Sequence, residues 1–126
     1  MLPGATQPIE QVTPSPAQTV PYESFAHLDI RLGTVLAAER MAHSKKLTAL
    51  WIDVGEPQPR CVVTGSKRPR PPESFVGLQL PVICNLPPRQ LAGKVSQGLL
   101  LTTYDAVGNQ VLLVAQAPVL PGTKAW

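Results

Sequence analysis

Two groups of residues in this chain have types and spacing suited to chemistry, and both suit the recognition of phosphate and sugar. Lys67, Arg68 and Arg70 alternate with Pro69, Pro71 and Pro72 in one short loop. Proline restricts the backbone, so the cations stay projected and contact phosphates at low ordering cost. Asn85, Arg89, Lys94, Ser96, Gln97, Gly98 and Leu99 form the second group. Asn, Ser and Gln at strand rims hydrogen-bond phosphates, sugars or base edges, while Gly98 admits a close backbone and Leu99 offers an apolar surface to a base or ribose.

Nucleophilic and metal chemistry find no comparable support. The sequence has no G-x-S-x-G elbow, no H-E-x-x-H, no phosphate-binding G-x-x-x-x-G-K-[ST] and no G-x-G-x-x-G. His27 and His43 are its two histidines. With Ser44 and Asp53 they can be drawn as a triad, but a surface His-Ser pair ahead of a strand is the simpler reading. Cys61, Cys84, His27 and His43 lack the close pairs of a structural zinc site. The expectation is a protein that is not an enzyme and holds neither metal nor cofactor.

Composition bounds the scaffold for these groups. The chain has 126 residues, with 11 Lys plus Arg against 8 Asp plus Glu, and a net charge of +3. That length predicts one domain, and so small an excess of charge implies no polyanion ligand by itself. Its distribution does more: from Pro57 to Tyr104 the bases are Arg60, Lys67, Arg68, Arg70, Arg89 and Lys94, and the sole acid is Glu73. No apolar run reaches the ~20 residues of a membrane-spanning helix, and the N-terminus lacks a signal-peptide pattern, so a soluble cytoplasmic protein is expected. Cys61 and Cys84 each adjoin an apolar run and read as small core residues.

The elements that must position these residues are mostly short strands. Residues 1–21 carry five prolines among Gln, Thr and Ser and read as a disordered or polyproline-like tail, with the domain over 22–126. Ser24 to Leu28 fits a helical turn. Asp29–Glu39 reads as a first strand, bent at Gly33. Leu47–Val54 alternates as a second, and Arg60–Thr64 ends a third at Gly65. Leu80–Asn85 and Gly98–Thr103 give a fourth and fifth, separated by a loop over Leu86–Gly93, and Gly108-Asn109 turns into Val111–Ala115. A short turn is expected at Glu73–Val76. No stretch supports a three-turn amphipathic helix, which favours a small closed or partly closed β-barrel over a βαβ sheet.

Six blocks in order carry a family resemblance: Asp29–Val35, Leu50–Gly55, Val62–Gly65, Asn85–Gly93, Ser96–Leu101 and Val119–Gly122. The chain resembles the tRNA-binding-domain family of oligonucleotide/oligosaccharide-binding (OB) folds over residues 25–124. That family includes free-standing tRNA-binding proteins, small CsaA-like export chaperones, and domains appended to aminoacyl-tRNA synthetases. The resemblance implies an all-β, five-stranded Greek-key OB-fold barrel with short helical turns and a C-terminal extension. It further implies tRNA as partner, bound by shape and phosphate contacts, and a homodimer. Asn85, Ser96 and Leu99 fall on the family's contact positions, Lys46 on its basic position ahead of the second strand, and Arg60 near the start of the third. Leu99 stands where Met is usual, Thr64 where Ser is usual, and Lys45 where an acid is common.

The expected RNA-binding set is therefore Lys46, Arg60, Lys67, Arg68, Arg70, Asn85, Arg89, Lys94, Ser96, Gln97 and Leu99. The alternative function is that of a CsaA-like export chaperone binding unfolded polypeptides. The basic surface favours RNA, because a peptide-binding groove should expose apolar pockets and acids. A third partner is an aminoacyl-tRNA synthetase on which the chain docks. Six aromatic residues are scattered with no row for successive single-stranded bases, which suits a folded RNA read by shape. The apolar Val119–Gly122 segment is open to packing on its own barrel or on a partner's.

Overall fold

Eleven residues, Ile30–Arg40, form strand β1, and the main sheet is built outward from its two edges. The computed structural model describes residues 18–126, so all but the last four residues of the tail read over 1–21 lie outside the described residues. β1 pairs antiparallel with β2 (Leu47–Asp53) from Thr34 to Arg40, and on its other edge with β4 (Gln79–Ile83) from Ile30 to Thr34. β3 (Arg60–Gly65) continues from β2, and β7 (Leu99–Leu100) from β4. The strand order is β3-β2-β1-β4-β7. Side chains from both ends of this order meet across the seam between β3 and the segment entering β7, and the sheet curls into a nearly closed OB-fold barrel.

Alternation of side chains across β2 and β3 fills the interior. Leu50, Ile52 and Val54 meet Val62, Val35, Leu80, Val82, Cys84 and Leu100 in one cluster. Phe75, on the 3₁₀ turn Pro72–Phe75, is fully buried and stoppers that cluster. Burial of a phenylalanine stabilises by about 1.5–3 kcal/mol. Cys84 belongs to this core as expected. Cys61 does not: it pairs with Trp51 across β2 and β3, and both are only half-buried.

The bend in β1 is displaced from its expected place. Pairing shifts between Val35 and Ala37, so the extra residue is Leu36, which is exposed. Gly33 pairs regularly with Leu80 and serves a different purpose, because a Cβ there would overlap the Ile52 Cγ2 methyl.

Four further departures concern short segments. The loop expected over Leu86–Gly93 instead feeds a hairpin, β5 (Arg89–Leu91) with β6 (Lys94–Ser96), turned by Ala92 at φ 49° and Gly93 at φ 90°. Positive φ at both central residues fits a type I′ turn. The expected fifth strand divides into β7 and β8 (Thr102–Tyr104), and the strand expected at Val111–Ala115 starts earlier as β9 (Gln110–Leu112), paired with β8. The C-terminal extension adds β10 (Thr123–Ala125), which pairs with Ile30–Leu32 of its own β1, while Gly122 N donates to Leu32 O at 2.8 Å. The first helical turn is α1, Tyr22–Ala26.

Candidate nucleic-acid interface

A groove crosses the barrel where β2 starts and β3 ends. One concavity of about 450 Å³ is lined by Lys46, Leu47, Gly65, Ser66, Lys67, Tyr104 and Gly108. A second, about 290 Å³, shares Leu47, Gly65 and Tyr104 and extends over Val63, Arg89, Leu91 and Leu99. The two concavities adjoin at these shared residues, both have largely apolar linings, and their cations come from three loops or hairpins. In OB folds, this face of strands 2 and 3 and its flanking loops is the usual surface for oligonucleotides.

Local hydrogen bonds explain why the loops hold their places. Ser44 Oγ accepts from Lys46 N (3.1 Å) and Leu47 N (3.2 Å), which shapes the loop before β2. Ser66 N donates to Lys46 O at 3.0 Å and joins that loop to the proline-rich one. Arg40 reinforces the join by donating from Nη2 to Arg70 O (2.9 Å) and from Nη1 to Lys45 O (3.4 Å). Asp105 orders the β8–β9 turn by accepting from Val107 N, Asn109 N and Asn109 Nδ2. Those bonds, the Asn109 side chain's foremost, hold its carboxyl below its ordinary range. With Ser44 fixed before β2 and Asp53 at its far end, about 20 Å of strand separates them, and no triad can form.

The sequence-predicted residues divide into two groups. Lys46, Lys67, Arg89 and Leu99 line the groove, and Arg68 is exposed on the loop beside it, its N–H donating to Ser66 Oγ at 3.2 Å. None of these cations pairs with a carboxylate among the described residues.

The rest bind the barrel to itself. Ser96 is buried, with Oγ accepting from Val63 N at 2.9 Å and donating to Gly98 O at 3.1 Å. Gln97 Oε1 accepts from Cys61 N at 3.1 Å, and its own N–H donates to Cys61 O at 2.8 Å. Asn85 accepts from Asp29 N (2.8 Å) and donates to His27 O (2.7 Å), closing the gap between α1 and β4. Arg60 forks onto Glu56 through Nε and Nη2, both at 2.8 Å, and donates from Nη1 to Cys84 O and Gln97 O. That fork raises the Arg60 pKa and lowers that of Glu56. Arg70 lies 5.9 Å from the Phe75 ring centroid, and Lys94 lies 5.6 Å from the Trp51 centroid with Glu39 at 3.9 Å.

Among the groove residues that sequence reasoning missed are Tyr104 and Gly65. Tyr104 lines both concavities, yet nothing in a lone tyrosine near a turn marks it. Gly65 signals only a strand end in sequence. A Cβ there would stand 2.9 Å from Leu47 Cδ2, so its bareness keeps the floor open. Among the described residues, no cluster of His, Cys, Asp and Glu is arranged to hold a metal, and no helix is long and apolar enough to cross a membrane.

Comparison with known proteins adds three findings. Residues 30–124 match the family described as "Putative tRNA binding domain". The methionine–tRNA ligase of Methanococcoides burtonii is 40% identical over 104 residues, covering 82% of this chain but only 15% of that enzyme. Among solved structures, a MetRS-related protein from Pyrococcus horikoshii superposes with a TM-score of 0.79 at 29% identity, over 87% of this chain and all of that one. The chaperone CsaA of Bacillus anthracis str. Ames superposes with a TM-score of 0.76 at 31% identity, over 86% of this chain and all of that one.

Proposed function

This chain belongs to the tRNA-binding domain family, and from that premise we propose that it is a non-catalytic RNA-binding protein that holds folded tRNA by shape and phosphate contacts, as a homodimer. The observation that carries the reading is the apolar groove ringed by Lys46, Lys67 and Arg89, cations with no carboxylate partner among the described residues. Their backbone segments are tied to the barrel and their charge has no carboxylate partner among the described residues, which favours a polyanion of defined shape. Arg68 adds a contact at the rim and Leu99 an apolar one within the groove. Arg60, Arg70, Asn85, Lys94, Ser96 and Gln97 act behind this surface by fixing the elements that present it. The binding unit runs over 22–126 and acts in the cytoplasm, where tRNA is used.

The chain spans about 15% of the methionine–tRNA ligase it matches, so association with a synthetase is part of the proposal. A second reading, capture of unfolded polypeptide, is favoured by the likeness to the CsaA chaperone and by the exposure of Leu99 and Tyr104 in the groove. A competition titration separates the two. Bulk tRNA is bound at low and near-physiological salt and challenged with unstructured RNA and with an unfolded polypeptide. Binding of tRNA that resists both competitors is expected. Loss of tRNA at the higher salt with polypeptide retained would replace the RNA reading by the chaperone one.

A further inference from the structure

Tyr104 stands in the groove, 49% exposed as a residue, with its hydroxyl donating to Gly65 O at 2.7 Å. We propose that this ring is a stacking platform for one unpaired base of the bound RNA, with Lys46 and Lys67 holding the adjoining phosphates. The proposal rests on the RNA-binding reading and names the part of the RNA that this groove takes.

Four observations carry it. The hydroxyl bond ties the ring across the end of β3, so much of its rotamer freedom is lost before any ligand arrives. An exposed ring held in this way stacks a base at low entropic cost, and every base has a π-face to offer. Gly65 and Leu47 leave the floor beside the ring open, and the 450 Å³ concavity falls within the ~300–1,000 Å³ of small-ligand sites. The polar lining there is Lys46, Lys67 and Ser66, with two cations and, among the described residues, no carboxylate, which complements a phosphodiester flanking the base. Finally, among the described residues Tyr104 is the one aromatic lining either concavity, so the groove accommodates a single base and not a stacked run. Bases within a duplex are already stacked on each other, which directs this contact to a loop, bulge or end.

The test uses an RNA hairpin with 2-aminopurine at an unpaired loop position, bound to the full chain alongside bulk tRNA. Stacking on the wild-type ring is expected to quench the probe. Tyr104→Ala and Tyr104→Leu should abolish the quench and weaken hairpin binding by about 5- to 100-fold, the range for loss of one base–aromatic stack. Tyr104→Phe should keep the quench and stay within about threefold of wild type. Lys46→Ala should reduce the salt dependence by about one log unit per log salt, while Tyr104→Leu leaves it unchanged. Circular dichroism identifies any variant that fails to fold, and the two replacements without a ring serve as checks on each other. If wild type binds tRNA and Tyr104→Leu binds the hairpin equally with its quench intact, the platform is refuted and the RNA reading stands. Failure of the wild type to bind tRNA refutes the RNA reading itself. Tyr104-dependent binding of an unfolded polypeptide, with none of the hairpin, assigns the ring to a peptide and refutes the proposal.

Discussion

Lys67 and Arg70 lie three residues apart in the same proline-rich loop, and their surroundings differ. Lys67 lines the groove with no carboxylate partner among the described residues, whereas Arg70 packs its guanidinium over Phe75 and gives its carbonyl to Arg40. Lys67→Ala is therefore expected to shallow the salt dependence of tRNA binding by about one log unit per log salt, and Arg70→Ala to lower thermal stability with a smaller change in slope. Titrations at several salt concentrations, together with melts of both variants, measure this difference. Glu56 answers to pH. The Arg60 fork, aided by Arg31 with Nη1 at 3.8 Å, holds its carboxyl below the ordinary range. Its folded pKa is depressed, so its stabilising contribution is complete above the unfolded pKa and is lost as pH falls through the folded one. Both arginines stay charged throughout. The wild-type melting temperature should fall on acidification below the ordinary glutamate range, and Glu56→Gln should flatten that fall. The Glu56 side chain is about one-third exposed, which keeps the effect modest.

At the level of elements, the barrel closes at the seam between β3 and the segment Ser96–Gly98, where the Ser96 and Gln97 side chains supplement a single backbone bond, Gln97 N to Cys61 O. Ser96 Oγ is the partner of Val63 N in a buried setting. Ser96→Ala removes that acceptor and leaves a donor unsatisfied, at a cost of about 1–3 kcal/mol. Chemical denaturation is expected to report that loss. The salt slope of RNA binding should stay at the wild-type value, because no cation has moved. The hairpin β5–β6 shows why this seam is hard to read from sequence. Its strands have three residues each, too few to display alternation, and its turn is Ala92-Gly93 where Asn-Gly would have signalled the same geometry. Contact with β3 gives Ser96 and Gln97 their partners in Val63 and Cys61.

For the whole molecule the open question is how its remaining apolar surface is covered. After β9 the chain runs past Gln79, whose side chain donates to Val119 O at 2.6 Å and accepts from Val119 N at 2.9 Å. That segment leaves Leu113, Val114 and Leu120 exposed, Leu120 by 81%. Exposed apolar residues concentrated in one segment favour association of chains. Sedimentation at micromolar concentration is expected to give twice the 13.5 kDa chain mass, and Leu120→Asp to shift the protein toward the single chain. A wild-type monomer at that concentration would remove the dimer from the proposed function.

Much of the architecture is written locally. Alternation over Leu47–Asp53, the glycine and proline punctuation, and the six ordered blocks were enough for an all-β OB barrel and its family. Side chains that alternate over six or seven residues and turns built from Gly or Pro depend on near neighbours alone, so they can be read without coordinates. Which cations remain free was decided by tertiary structure. Lys94 looks like Lys46 and Lys67 in sequence, but folding brings Glu39, 55 residues earlier, within 3.9 Å of it, whereas the Arg60 partner Glu56 is only four residues away. Ser96, Gln97 and Asn85 likewise found their partners in Val63, Cys61, Asp29 and His27, between 33 and 58 residues away. Tyr104 became part of the groove because Gly65, 39 residues earlier, accepts its hydroxyl. Hydrogen bonding and charge pairing act over a few ångströms in space whatever the separation in sequence, and only the folded barrel brings these groups within that range.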